Sequence, residues 1–301
     1  MQLPAFVSDP LIRRKAQLHA IDVDRFEIRL ARTAQEYEDA FRLVHVGYVF
    51  QGIEPLKTVD LRMTEQHVLP EASVLVAYEG RQIVGTISVT KDSPAGLPFD
   101  KDYPEELEAL RRTGARISEI GSLAVVRRCW HTSLMPLLGM AAARLGFRVH
   151  DSSHEVIGIH PKAAPFYRAL FHFHALGAAR SHAELTAAPV IGMVHERDAT
   201  RAHMIRHYRR PMDKANGIMP VEYSFAPTTP RGLYLPEDIP AEEWPRFKMS
   251  RDVFRQIFVE RSNRVIELSQ RTSSHLRSQR TEETIGVPSD NTHGSYFSKL
   301  S

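Results

Sequence analysis

The stretch Ala115–Val126, ARISEIGSLAVV, decides how this chain folds. It reads as a strand whose one carboxylate, Glu119, shares a face by alternation with Ile117, Gly121 and Leu123. A carboxylate in so apolar a row is poorly solvated, which raises its pKa and brings it toward the range of a general base. The alternative is a structural glutamate paired with Arg116 or Arg144.

Working outward, a helix is expected from Thr132 through Phe147, then a strand in EVIGIH and a helix in HPKAAPFYRALF, residues 160–171. Pro161 suits a rigid strand exit, and Pro165 a first helical turn where no N–H partner is needed. APVIGMVHE reads as a last strand. Upstream, Phe26, Ile28 and Leu30 alternate as a first strand. Thr33 with Glu36 forms a capping-box pair opening a helix through Tyr37, Ala40, Phe41, Val44 and Tyr48. SVLVAYEG and QIVGTISVT form a hairpin through Glu79-Gly80-Arg81, and PEELEALRRTG a short polar helix. The fold class expected is α/β, a mixed twisted sheet with helices on both faces.

The domain plan has four parts. Residues 1–24 form an irregular lead-in marked by Pro4 and Pro10, and 25–200 the αβ domain. Residues 201–270 form a basic extension ending in an amphipathic helix, SRDVFRQIFVERSNRVIELSQRT. Residues 271–301 are a polar, disordered tail. For the extension three roles stay open: capping an apolar slot, binding a partner protein, or peripheral contact with membrane lipid.

At 43% hydrophobic and 25% charged residues the chain is an ordinary globular protein. No apolar run approaches the roughly 20 residues of a membrane-spanning helix. The first residues lack the apolar core of a secretory signal and Cys129 is the single cysteine, so a cytoplasmic location is expected. The net charge is only +3, yet arginines cluster at Arg111-Arg112, Arg127-Arg128 and from Arg201 to Arg210. Each pair reads as a solvated face or as forks for an acidic partner. No nucleic-acid module is present. Pairs such as His150 with His154, or His172 with His174, lack a convincing third ligand, so no metal is expected. Cys129 beside His131 is a packed thiol rather than a nucleophile.

E-x-x-x-L-A-V at Glu119–Val125 followed by P-x-x-A-P-F-Y at Pro161–Tyr167 resembles the GNAT acyltransferase superfamily. Within it the chain is similar to the long-chain N-acyl amino acid synthases, cousins of the acyl-homoserine-lactone synthases. The resemblance spans about Phe26 to Glu196. It implies a central sheet whose middle strands splay apart and hold the pantetheine arm of an acyl thioester. The backbone of Leu123, Ala124 and Val125 would pair with the arm as an added strand and help hold the oxyanion. It implies Glu119 as base for the attacking amine and Tyr167 as acid for the departing sulfur.

Two departures from the family pattern bear on the substrates. Coenzyme A-binding members have a glycine-rich loop after L-A-V that cradles a pyrophosphate. Here Arg127-Arg128-Cys129-Trp130-His131-Thr132-Ser133 contains no glycine. That favours acyl carrier protein as donor over acyl-coenzyme A, with Arg127 and Arg128 facing the acidic carrier. The lactone-synthase arginine of E-x-S-R-F is replaced by Ser122, which argues against S-adenosylmethionine as acceptor. The expected function is transfer of a fatty acyl group from acyl carrier protein to the amine of an amino acid or similar small amine. No tightly bound cofactor is implied. Phe41, Val44, Leu134, Leu137 and Leu138 are candidate walls of an acyl slot. The rival readings are a coenzyme A-dependent small-amine acetyltransferase and a non-catalytic protein that binds acyl thioesters.

Overall fold

The computed structural model describes residues 5–16, 21–52, 61–130, 132–183, 188–212, 217–227, 229–230, 232–235, 253, 256–257 and 268–278. The strands are β1 (Glu27–Leu30), β2 (Ala72–Glu79), β3 (Gln82–Lys91), β4 (Ile117–Val125), β5 (His154–Ile159), β6 (His174–Ala175), β7 (Arg180–Ser181), β8 (Pro189–Glu196) and β9 (Leu233–Tyr234). They form one mixed sheet in the order β6-β8-β5-β4-β3-β2-β1-β9, with β7 paired to β8. β4 and β5 run parallel, as do β1 and β9, and the remaining pairs are antiparallel.

Helices α1 (Ala5–Lys15), α2 (Ala34–Phe50), α3 (Pro104–Arg112), α4 (Leu134–Arg144), α5 (Ala164–Phe171), α6 (Arg197–His207), α7 (Pro220–Phe225) and α8 (Gln270–Ser278) cover it. The capping box at α2 is present as expected. Thr33 Oγ1 accepts the Glu36 N–H at 3.2 Å, and Glu36 Oε2 accepts the Thr33 N–H at 3.2 Å. Of the three core clusters among the described residues, one gathers Phe99, Tyr103 and Leu107 on Ile117 and Val156, and the other two flank the sheet. The first of these two gathers Ile28, Leu75, Ile87 and Val89 under Leu134, Leu137, Leu138 and Phe171, and the second sets Val74 and Val76 against Tyr37 and Phe41. The expected slot walls therefore divide: Phe41 packs on the α2 face, while Leu134, Leu137 and Leu138 pack on the α4 face.

The described part of the lead-in holds a helix over Ala5–Lys15, where an irregular segment was expected. α1 tolerates Pro10, which removes one helical donor, because side chains tie it to α5: Asp9 Oδ1 accepts from Arg168 at 2.7 Å, and Arg13 reaches the Ala169 carbonyl at 3.4 Å. The polar tail expected to be disordered from Arg271 likewise begins in a helix. α8 docks through Leu276, which is buried, through the Ser269 N–H donating to Glu65 Oε2 at 2.7 Å, and through His275 beside Glu71 at 3.0 Å. Most of the amphipathic helix expected at 250–272, and all of 279–301, lies outside the described residues. From the extension, α7 packs on α4 and β9 adds a short strand beside β1.

α4 also ends earlier than its apolar period suggests, passing into a π-helical turn over Leu145–Val149. Gly146 in that turn leaves room for Glu155 of β5, which a Cβ there would strike. Glu155 Oε2 sits 2.7 Å from His195 Nε2, and His195 Nδ1 lies 2.8 Å from the Phe171 carbonyl. A carbonyl can only accept, so Nδ1 carries the hydrogen and Nε2 accepts from a protonated Glu155. Burial raises the Glu155 carboxyl and lowers His195 to about 3, so the pair is neutral.

Candidate active site at the fork between β4 and β5

β4 is a conflicted strand, and its conflict shapes the site. Ile117–Ile120 pair with His154–Ile157 of β5, and there the ladder stops. Beyond it β5 continues against β8 through Gly158 and Ile159, while Gly121–Val125 stay with β3 alone. A fork thus opens between Gly121–Val125 and the end of β5. At its root β4 carries a bulge: Ser88 faces Gly121 and Thr86 faces Ala124, so Ser122 and Leu123 together oppose Ile87. Ser122 adopts φ 50, the left-handed conformation such a bulge requires.

The bulge overturns part of the alternation read from sequence. Glu119 and Gly121 share a face with Ala124, whose Cβ lies 3.7 Å from where a Cβ on Gly47 of α2 would stand. Leu123 turns to the opposite face and packs with Ile120 and Val125 against the α4 cluster.

Glu119 is 8% exposed. Its Oε2 accepts the Phe99 N–H at 2.8 Å. Its Oε1 makes no hydrogen bond among the described residues and lies 3.9 Å from the position of a Cβ on Gly121, at the fork. Burial pushes its pKa up to about 8, opposed by the Phe99 hydrogen bond and reinforced by Asp100, Asp102 and Asp92. Among the described residues no arginine pairs with it: Arg116 is held by Asp151, with Nε 2.6 Å from its carbonyl, and Arg144 donates to the Tyr223 carbonyl at 3.2 Å. The structural alternative for Glu119 thus loses both proposed partners.

Tyr167 comes from α5, whose start is fixed by a 3-10 turn over Pro161–Ala163 with the His160 ring accepting the Lys162 N–H at 3.1 Å. Its ring meets Phe166 edge-on at 5.5 Å and lies 6.3 and 6.0 Å from Phe171 and Phe173. The hydroxyl makes no hydrogen bond among the described residues. Burial pushes its pKa up to about 12, and the nearby Tyr48 of α2 adds to the rise. Tyr48 belongs to the helix on the Glu119 face, so the two faces come within electrostatic reach here.

The open edge of β4 is partly occupied. Trp130 Nε1 donates to the Val125 carbonyl at 2.9 Å, and its ring meets Phe50 edge-on at 5.3 Å. Arg127 stands over Phe50 at 5.5 Å, whereas Arg128 is engaged by Glu79 at 3.3 Å and Gln82 at 3.1 Å. Cys129 is fully buried in the core, and burial raises its pKa. Among the described residues no group of three His, Cys, Asp or Glu side chains can hold a metal ion, and no helix is long and apolar enough to cross a membrane.

Three neighbours escaped the sequence reading. Phe99 fixes Glu119 from a short turn after a Pro/Gly loop. His67 and Ser88 lie on the Glu119 face, buried at 4% exposure each and 3.0 Å apart from Nε2 to Oγ. Ser88 was legible as a strand residue, but nothing in the aperiodic run around His67 announces its partner.

Residues 39–196 match a family model described as N-acyl amino acid synthase FeeM. A solved structure of FeeM, an N-acyl amino acid synthase from uncultured soil microbes, superposes with a TM-score of 0.54 and 24% identity, covering 61% of this chain and 97% of that one. A coenzyme A-dependent acyl-homoserine lactone synthase, BjaI, reaches a TM-score of 0.44 at 18% identity over 61% of this chain and 89% of its own. A GNAT-family acetyltransferase from Streptococcus pneumoniae gives 0.38 at 17% over 57% and 99%. The open mixed sheet flanked by helices is the fold of that FeeM structure. No curated protein matches this sequence.

Proposed function

The chain belongs to the FeeM family of N-acyl amino acid synthases and is an N-acyltransferase, and from that premise we propose that it moves a long-chain fatty acyl group from acyl carrier protein to the amine of an amino acid or similar small amine. The observation that carries this reading is the fork: a strand edge open to an added amide-bearing chain, with the unbonded Glu119 Oε1 at its root. An acyl-pantetheine arm entering the fork pairs with the backbone of Leu123, Ala124 and Val125, displacing the Trp130 indole from the Val125 carbonyl.

Glu119, with a pKa of about 8, takes a proton from the acceptor's ammonium. The freed amine attacks the thioester carbonyl, and a backbone N–H of the β4 edge meets the oxyanion. As the tetrahedral intermediate collapses, the C–S bond breaks and Tyr167, un-ionised at neutral pH, gives its hydroxyl proton to the thiolate. The carrier leaves as the free thiol, the second proton of the acylated nitrogen restores Tyr167 as the amide forms, and the proton held by Glu119 passes to solvent.

Support for the carrier over coenzyme A is the turn after β4, a 3-10 segment Arg127–Cys129 built without glycine. The half-exposed Arg128, and Arg127 with it, would face the carrier's acidic surface. We place the catalytic unit in residues 25–200, and the single buried cysteine supports a cytoplasmic setting.

The test is incubation with acyl carrier protein thioesters and acyl-coenzyme A thioesters of graded chain length, together with a pool of amino acids, read by mass spectrometry. N-acyl amino acids from the carrier thioesters are expected. No product from any donor sinks the reading, and product from acetyl-coenzyme A alone replaces it with the acetyltransferase.

A further inference from the structure

Two buried polar groups on the Glu119 face, Ser88 Oγ and Glu119 Oε1, lack a full set of partners, and both flank Gly121. His67 Nδ1 accepts the Thr64 N–H at 2.9 Å, with Thr64 Oγ1 at 3.0 Å. A backbone N–H can only donate, so Nδ1 carries no hydrogen and the ring hydrogen resides on Nε2. Burial, opposed by the Thr64 bond, lowers His67 to about 4 and keeps it neutral. Nε2–H therefore donates to Ser88 Oγ at 3.0 Å, and the ring is clamped edge-on by Phe41 at 5.0 Å.

With one lone pair of Ser88 Oγ taken by His67, its own hydrogen has no acceptor among the described residues. Ser88 sits directly across the ladder from Gly121. Opposed positions on neighbouring strands place their Cβ atoms about 4.5–5.5 Å apart. Glu119 Oε1 has swung to within 3.9 Å of that missing Gly121 Cβ. An unused donor and an unused acceptor thus face each other over a glycine, without bonding to each other.

We propose that this gap is the seat of the acceptor's α-amino acid group, with Ser88 donating to the acceptor carboxylate while Glu119 takes the amine. In an α-amino acid the nitrogen and the carboxylate both hang from one carbon, so a single small headgroup spans the two side chains. Gly121 leaves the space in which it lies. Ser88 is an acceptor-binding and specificity residue, and His67 is a positioning residue that acts through it. A buried hydroxyl left without its acceptor is costly, so the site discriminates against an amine that lacks the carboxylate. The proposal rests on the acyltransferase reading above and names the chemistry of its acceptor.

The test takes the best amino acid acceptor from the pool experiment and compares it with its methyl ester and its decarboxylated amine. The wild type should favour the free amino acid by tenfold or more in kcat/KM. Ser88→Ala should raise the amino acid KM about tenfold, leave the donor KM unchanged and erase the preference, and Ser88→Thr should restore most of it. His67→Ala should show a weaker form of the same KM effect. If the wild type transfers acyl groups equally well to the decarboxylated amine, or if Ser88→Ala keeps the preference, the acceptor assignment fails while the acyltransferase stands. Absence of transfer to every acceptor defeats the underlying reading, and this assignment with it.

Discussion

Phe99 links Glu119 of β4 to Gly158 of β5. Its backbone N–H donates to Glu119 Oε2 at 2.8 Å, and its ring lies against Gly158 of β5, where a Cβ would come within 2.5 Å of it. The carboxylate at the fork is therefore positioned by a residue that also braces the strand from which β4 departs.

Replacement Glu119→Gln keeps the shape of the side chain and removes the proposed base. Acyl transfer should fall about 10²- to 10⁴-fold, the range of a general base, with circular dichroism unchanged. In the wild type kcat/KM should rise with pH up to about 8 as Glu119 loses its proton. Activity in the variant equal to wild type would remove Glu119 from the role.

The same substitution alters stability in a pH-dependent way. The folded Glu119 keeps its proton up to about 8, whereas the unfolded group releases it near 4.5. Between those values the native state binds the extra proton, so wild-type stability falls as pH rises through that window. The melting temperature of Glu119→Gln relative to wild type should therefore climb by several degrees from pH 5 to pH 9.

Tyr167→Phe should leave the fold intact, since its hydroxyl bonds to nothing described. Turnover of alkyl thioesters should drop at least about tenfold. Aryl thioesters, whose thiolates leave without a proton, should be spared, and an equal drop for both classes would point to packing instead.

At Gly158 an added methyl meets the Phe99 ring, so Gly158→Ala should cost about 1–3 kcal/mol in urea unfolding. Pairing it with Phe99→Leu should recover part of that loss and, because leucine keeps the backbone N–H that bonds Glu119, loosen that bond without removing it. The double variant should then be more stable than Gly158→Ala but slower than wild type.

The neutral pair beneath α4 makes Glu155→Gln mild. The new amide N–H₂ donates to His195 Nε2 as the carboxylic acid did, so a change under about 1 kcal/mol is expected. Glu155→Ala empties a fully buried site and strands Nε2, at about 2–4 kcal/mol.

Local signals carried much of the architecture into the sequence. Thr33 and Glu36 fix the start of α2 by their own side chains, and Gly80, at φ 63, turns the β2–β3 hairpin. Glu119 was legible as a carboxylate in an apolar row. What escaped depends on distant partners. α1 forms against the expectation from Pro10 because Arg168, far along the chain, grips Asp9. The bulge at Ser122 shows only as a Gly-Ser pair, yet it sends Leu123 to the other face. His67 meets Ser88 through a turn with no periodicity to announce it.

Within the sheet, four residue pairs among the described residues, Ile117–Ile120 with His154–Ile157, join the strands β6-β8-β5 to the strands β4-β3-β2-β1-β9. The molecule is built like a clothes peg, with the spring at that short seam and the jaws beyond Gly121 and Gly158. Opening of the jaws is then a matter of leverage, and amide exchange should be slow along the seam and quicken toward the jaws.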